Sequence, residues 1–370
     1  MFDTMRAVVV GGGIGGLAAG VALGRAGLEV VVLERSAQVR EKGFGLVLAA
    51  NAVAALERLG LRDAVAARAA RVERAEVRNP RGALLVEVPY ERLGWASYGI
   101  LRAELLQALA DAVPRDGLRL GTTCLGVAED GAVFLEGEAS ERGDVVVGAD
   151  GIHSAVRASL FGDEPLRYGG HRAWRAGTRF ELAPRFVEVW GVGGGFGFGP
   201  AGDGCAYWYC FESVAEGAPA PERPKEEFLR RYGSWFDPIP ALIESTDEAA
   251  IEPTFTYDRP PRTTWGRGRV TLLGDAAHPM KPNLGQGAAQ ALEDAVVLGS
   301  CLPRANDAEA ALRGYERLRI ARANGVVRAS RQAGRAAEVR SPLAARLRDV
   351  AFRLAPTALT VAQQRRLMQF

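Results

Sequence analysis

An apolar, β-branched run from Ala7 to Val10 breaks at Gly11-Gly12-Gly13-Ile14-Gly15-Gly16. A helical run from Leu17 to Ala26 follows, and then a second strand-like run, Val30 to Glu34. This order predicts a βαβ unit. A second glycine stretch, Gly43-Phe44-Gly45-Leu46, leads to a helix near Ala50 to Leu59, and another helix is expected around Arg102 to Ala112. Between about Val72 and Val88, and again from Tyr168 to Thr264, residues alternate and are rich in β-branched and aromatic types with many Gly and Pro breakers, which predicts an antiparallel sheet. Asp144 to Ala149 and Val270 to Leu273 return to the buried-strand pattern. A helix is expected from Ala308 to about Glu338, followed by shorter helices interrupted by Pro342 and Pro356. The fold class is therefore α/β. A Rossmann-like domain with a parallel sheet (1–71, 98–166 and 268–340) carries an inserted, mainly antiparallel β-sheet domain (72–97 and 167–267), and a C-terminal helical segment spans 341–370.

Composition narrows the function classes. The 370 residues carry a net charge of +2, spread along the chain with no basic cluster among aromatics, so nucleic acid is not an expected partner. Cys124, Cys205, Cys210 and Cys301 form no CxxC pair and have no metal-ligand spacing with His153, His171 or His278, so no metal site is expected. Cys205 and Cys210 fall on opposite faces of a strand, which disfavours a bond between them. A reducing cytoplasm fits this cysteine usage. No uncharged apolar run reaches the ~18 residues of a bilayer span. A monomer or homodimer is expected.

Gly11, Gly13 and Gly16 satisfy GxGxxG between a strand and a helix, with Gly15 inside the same turn. Missing side chains let the backbone approach a pyrophosphate, whose charge then sits at the helix N-terminus. Glu34 ends the next strand, where a carboxylate can accept both ribose hydroxyls. The signal means a dinucleotide and does not separate FAD from NAD.

Two further runs narrow that choice. Asp144-Val-Val-Val-Gly-Ala-Asp150-Gly151-Ile-His-Ser154-Ala-Val-Arg157 resembles the DG motif of the class A flavoprotein monooxygenases. Gly268-Arg-Val-Thr-Leu-Leu-Gly274-Asp275-Ala-Ala-His278-Pro279-Met-Lys-Pro282-Asn-Leu-Gly285-Gln286-Gly287 is similar to the GD motif of that family, and Glu293-Asp294-Ala295 continues it. The resemblance spans residues 6 to about 300 and implies non-covalent FAD. In that setting Asp275 would accept a hydroxyl from the ribityl chain, which NAD lacks. Pro279 and Pro282 would hold an extended stretch, and N–H groups at the helix start, Gly285 to Ala288, would face the pyrimidine edge of the flavin ring. By resemblance Arg102 lies against the phosphates, Asp150 and Gly151 support the pyrophosphate side, and Gly45 and Asn51 belong to the second glycine stretch, although Ala50 stands where the family often has proline. Arg35 would lie against adenine or in solvent.

The resemblance implies that NADH or NADPH reduces the flavin, that dioxygen adds to it as a hydroperoxide, and that the distal oxygen passes to a small aromatic or conjugated substrate, by hydroxylation or epoxidation. The protein must supply a dry pocket. Its walls are sought in the inserted sheet, where Trp190, Phe196 and Phe198 share a face by alternation, intervening glycines leave the other face bare, and Tyr207 and Tyr209 follow on the next strand. Pro282 would close the pocket from the cofactor side. Arg172, Arg175 and Tyr207 are candidates to orient substrate, and His278 is a candidate base or a structural part of the cofactor loop. A flavin-dependent reductase or dehydrogenase, or a non-catalytic FAD-binding redox sensor, would share most of these motifs.

Overall fold

The computed structural model describes residues 4–39, 44–302, 307–355 and 357–370, and of 357–360 the backbone only. Gly43 and Pro356, singled out above, lie outside the described residues. A six-stranded sheet has the spatial order Gly266–Arg267, Val270–Leu272, Val145–Gly148, Arg6–Val10, Glu29–Leu33, Leu118–Arg119. It is parallel apart from the edge hairpin, with Ala7 opposite both Val145 and Val30. Val8, Val9 and Val145 to Val147 are wholly buried. These strands are covered on both faces, which is why they read as continuous apolar runs. The helix Ile14–Arg25 follows the glycine turn and packs on the helix Gly287–Cys301.

A seven-stranded sheet forms the second layer, in the order Glu252–Asp258, Arg167–Arg179, Cys205–Glu212, Gly194–Gly202, Arg185–Trp190, Arg74–Arg78, Leu84–Val88. It is antiparallel except where Arg185–Trp190 runs parallel to Arg74–Arg78. Its outer face is closed by the helices Pro224–Tyr232 and Ile239–Glu244 over Trp174, Trp208, Phe196 and Phe198. Two small three-stranded sheets complete the fold, Cys124–Val127 with Ala132–Leu135 and Ser140–Arg142, and Gly45–Leu48 with Ala70–Arg71 and Tyr98–Leu101. Neither was expected from the sequence. Their strands are short and partly exposed, so they lack a sustained apolar pattern.

The long helix runs Ala308–Ala337, and Pro342 sits in the first turn of the helix Pro342–Leu354. Proline is tolerated there because the first N–H groups of a helix have no partner within it. Among the described residues no helix is long and apolar enough to cross a membrane, and all four cysteines are free thiols.

Candidate active site

A cavity of about 940 Å³ runs from the glycine turn to the inner face of the seven-stranded sheet. At its cofactor end the sterics are explicit. Gly11 has φ +106°, and a Cβ there would lie 2.5 Å from the Ala149 carbonyl oxygen. A Cβ on Gly16 would run into the Gly11 carbonyl, whereas Gly13 faces open space and lines the cavity with Gly15. Glu34 sits beside this turn. Its Oε2 accepts the Gly12 N–H at 2.6 Å and its Oε1 the Ser36 N–H at 2.8 Å, leaving acceptor capacity on both oxygens. Arg35 is exposed and outside the cavity.

Asp150 turns away from the cavity. Its carboxylate accepts from the Ser154 hydroxyl at 2.5 Å and the Val156 N–H at 3.2 Å, while Ser154 caps the helix Ala155–Phe161 through the Arg157 N–H. The Asp150 side chain therefore holds the strand-to-helix turn. Ala149 and Gly151 line the cavity in its place.

Asp275 is the reverse case. It follows the strand Val270–Leu272, opens onto the cavity, and accepts no hydrogen bond from any described residue. Its side chain is exposed within the cavity, between buried neighbours Gly274 and Ala276. Burial raises its pKa above the usual carboxylate range, opposed by its neighbours His278, Arg102 and Arg175. Arg102, at the start of the helix Arg102–Ala110, and Arg175, from the sheet, hold their guanidinium carbons 5.9 and 5.1 Å from the centroid of the Phe44 ring. A carboxylate aimed into a cavity without a donor suits a ligand hydroxyl. Beyond it a turn at Pro282–Leu284 leads to Gly285, and the helix Gly287–Cys301 begins without a side-chain cap, with Pro282, Gly285, Gly287 and Ala288 on the cavity wall. These donors and acceptors fit FAD.

Of the two readings of His278, base or structural part of the cofactor loop, the geometry fits the structural one. Its ring is buried outside the cavity, with Nε2 2.6 Å from Asp294 Oδ2. Asp294 also accepts the Gly274 N–H at 3.0 Å and Arg319 Nε at 2.6 Å. Glu293 binds Arg319, Arg322 and Asn51, and Asn51 donates to Gln286. His278 thus belongs to a buried network that ties the cofactor loop to the helices Gly287–Cys301 and Ala308–Ala337. His278→Gln is expected to cost about 1–3 kcal/mol of stability. It should lower Tm and leave the pH dependence of turnover unchanged, as thermal melts and pH–rate profiles would check.

At the sheet end, strand register decides which aromatics meet the cavity. Phe196 opposes Cys210 and Phe198 opposes Trp208, so both phenylalanines point into the core under the two small helices. Neither is a pocket residue. The opposite face carries Gly195, Gly197 and Gly199 beside Phe211, Tyr209 and Tyr207. A Cβ on Gly195 would lie 2.6 Å from the Phe211 ring, and one on Gly197 would meet the ring of Tyr209. The bare glycine face is filled by rings from the next strand. Trp190 shares that face but lies outside the cavity, covered by Phe352 at 5.0 Å between centroids and by Arg348. Tyr207, Tyr209 and Arg175 line the cavity. Arg172 does not, being paired with Glu212 at 2.6 Å. Phe186 and Glu188, unnoticed in the sequence, also line it. Extending the alternation back from Trp190 would have found both.

Comparison with known proteins agrees with this geometry. A family model described as an FAD binding domain matches residues 4–330. The aurachin C monooxygenase/isomerase of Stigmatella aurantiaca is 38% identical, covering 99% of this chain and 98% of that one. A 3-amino-4-hydroxybenzoate 2-monooxygenase of Streptomyces platensis is 39% identical over 95% and 93% of the two chains. The crystal structure of Klebsiella pneumoniae HpxO with FAD and uric acid superimposes with a TM-score of 0.90 at 28% identity, covering 98% and 96%. This chain belongs to the FAD binding domain family and, within it, to the class A FAD-dependent aromatic-ring monooxygenases.

Proposed function

We propose that this chain takes a small, largely apolar aromatic or conjugated compound onto the sheet-floored end of the cavity and inserts one oxygen atom from dioxygen, with NADH or NADPH as transient reductant. The observation that carries the reading is the continuity of one cavity from Gly13 and Asp275 to the sheet face. Gly13, Gly15 and Glu34 would hold the adenosine and pyrophosphate part of FAD, Arg102 its phosphates, and Asp275 a ribityl hydroxyl. Gly287 and Ala288 would offer N–H groups to the flavin ring. FAD supplies the activation of dioxygen when bound. The chain's own contribution is exclusion of water and orientation of substrate by Phe186, Tyr207, Tyr209, Val77 and Val88. Uric acid in the HpxO complex and the aminohydroxybenzoate relative support a planar substrate.

The test is a library of small aromatics screened for stimulated NAD(P)H consumption, with mass spectrometry under labelled dioxygen. One labelled oxygen in the product is expected. Label confined to water or peroxide would favour a reductase or oxidase.

A further inference from the structure

Across the seven-stranded sheet one row of residues runs Glu252, Arg175, Tyr209, Gly197, Glu188, Val77, Val86. The last six share the cavity face, and except for Gly197 all of them line the cavity. The tyrosine ring leans over Gly197, where an added Cβ would lie 2.6 Å from its hydroxyl oxygen, and Gly197 is the cross-strand partner of Glu188. Glu188 Oε1 accepts the Trp190 indole N–H at 2.9 Å. Oε2 has no hydrogen-bond partner among the described residues. Arg175 is three strand spacings away, roughly 14 Å at about 4.8 Å each, too far to pair with it. The groups around Glu188 are Trp190 on its own strand, Tyr207 and Tyr209 on Cys205–Glu212, and Val77 and Val86 on the outer strands, with Tyr90 and Met368 packed behind them. The bond from Trp190 occupies Oε1 alone, so among the described residues a carboxylate on the cavity wall keeps one oxygen available to a ligand donor.

We propose that Glu188 Oε2 is the polar anchor of the substrate, accepting a hydrogen bond from an aromatic O–H or N–H and taking that proton onto the carboxylate. The O–H or N–H bond breaks, the carboxylate gains the proton, and the electron pair stays on the ring that is to be oxygenated. No oxidant or reductant enters this step. The inference rests on the cavity being the substrate site. It narrows the substrate to neutral aromatics bearing a ring hydroxyl or ring N–H, with no acid group of their own directed at this end. Burial pushes the Glu188 carboxyl up to about 7 and the Trp190 hydrogen bond opposes that rise, so the proton-accepting form prevails above neutrality and is lost below it.

Two matched probes test this, 2-naphthol and 2-methoxynaphthalene, titrated into FAD-loaded protein and followed by the flavin visible spectrum. Naphthol stays protonated in water at both pH 6 and pH 8. At about pH 8 the wild-type protein should bind naphthol about tenfold more tightly than its methyl ether, as for a hydrogen bond to a charged acceptor. Near pH 6 the preference should shrink. In Glu188→Gln it should fall below about threefold and no longer depend on pH. In Trp190→Phe the anchor remains but loses its donor, so the pH at which the preference sets in should move upward. Absence of the preference in the wild-type protein, or its pH dependence surviving in Glu188→Gln, overturns the proposal. Should labelled oxygen reach no product while the naphthol preference behaves as stated, the oxygenation reading fails and the assignment of Glu188 stands.

Discussion

Asp275→Ala protein is expected to leave gel filtration nearly colourless, with FAD bound roughly ten- to a hundredfold more weakly than by the wild type. A hydrogen bond to an ionised acceptor is worth about 1.5–3 kcal/mol, which corresponds to that range. Without ligand the same substitution should leave Tm unchanged or raise it. Asp275 is held in a desolvating site and accepts no hydrogen bond from the described residues, so removing it leaves none of them unpaired. This opposition separates a binding residue from a structural one. Fluorescence titration of FAD and thermal melts of the apoprotein read the two quantities independently. A variant that loses stability and keeps its FAD would show that the carboxylate holds up the fold.

Arg319→Met should have the opposite signature, with stability falling by about 3–5 kcal/mol and FAD affinity falling as a consequence. Arg319 is almost fully buried and pairs with Asp294 and Glu293, each at 2.6 Å, while its remaining amine donates to the Gln290 side chain at 2.8 Å. Methionine fills similar volume and deprives two buried carboxylates of a shared cation, leaving Glu293 with Arg322 and Asp294 with His278. The pH dependence follows from Asp294. Burial pushes its pKa up, but His278 and Arg319 outweigh that and hold it below the usual carboxylate range. A carboxyl with a depressed folded-state pKa contributes stability above its unfolded pKa and loses that contribution as pH falls through the folded value. The wild-type Tm should therefore decline in the acid range, and the decline should be shallower in Arg319→Met. Calorimetric melts from about pH 8 to about pH 4 would check both statements. Because the network reaches Gly274 through its N–H and Gln286 through Asn51, loosening it releases both ends of the loop that carries Asp275.

The cofactor end was largely legible in the chain because its geometry is local. Gly11 to Gly13 form one turn into the helix that carries Gly15 and Gly16, and Asp275 to Gln286 form one loop into the helix that opens at Gly287, so residue type and spacing specify the sterics. Asp150 shows the limit even there. Its place at a strand end was readable, but its side chain had a nearer claimant in Ser154 and the Val156 N–H, a competition decided by the rotation of the turn. Nearness in sequence to the cofactor loop leaves His278 open to two readings, a base or a structural part of that loop. Its ring turns to Asp294, 16 residues further along, on a helix that only packing brings beside it.

The sheet end of the cavity depended on contacts distant in the chain. Alternation correctly separated the faces of Gly194–Gly202 and Cys205–Glu212, yet it cannot say which face meets the cavity, and the large rings of Phe196 and Phe198 drew the assignment to the wrong side. The decision lies with the helices Pro224–Tyr232 and Ile239–Glu244, which cover one face and leave the other to the cavity. Glu188 meets Tyr209 across Gly197 only because three strands pair in one register, and a slip of one residue would send each side chain to the opposite face. Short-range sterics write the FAD loops into contiguous residues, whereas the polarity of the pocket floor arises from cross-strand pairing and from what covers the sheet.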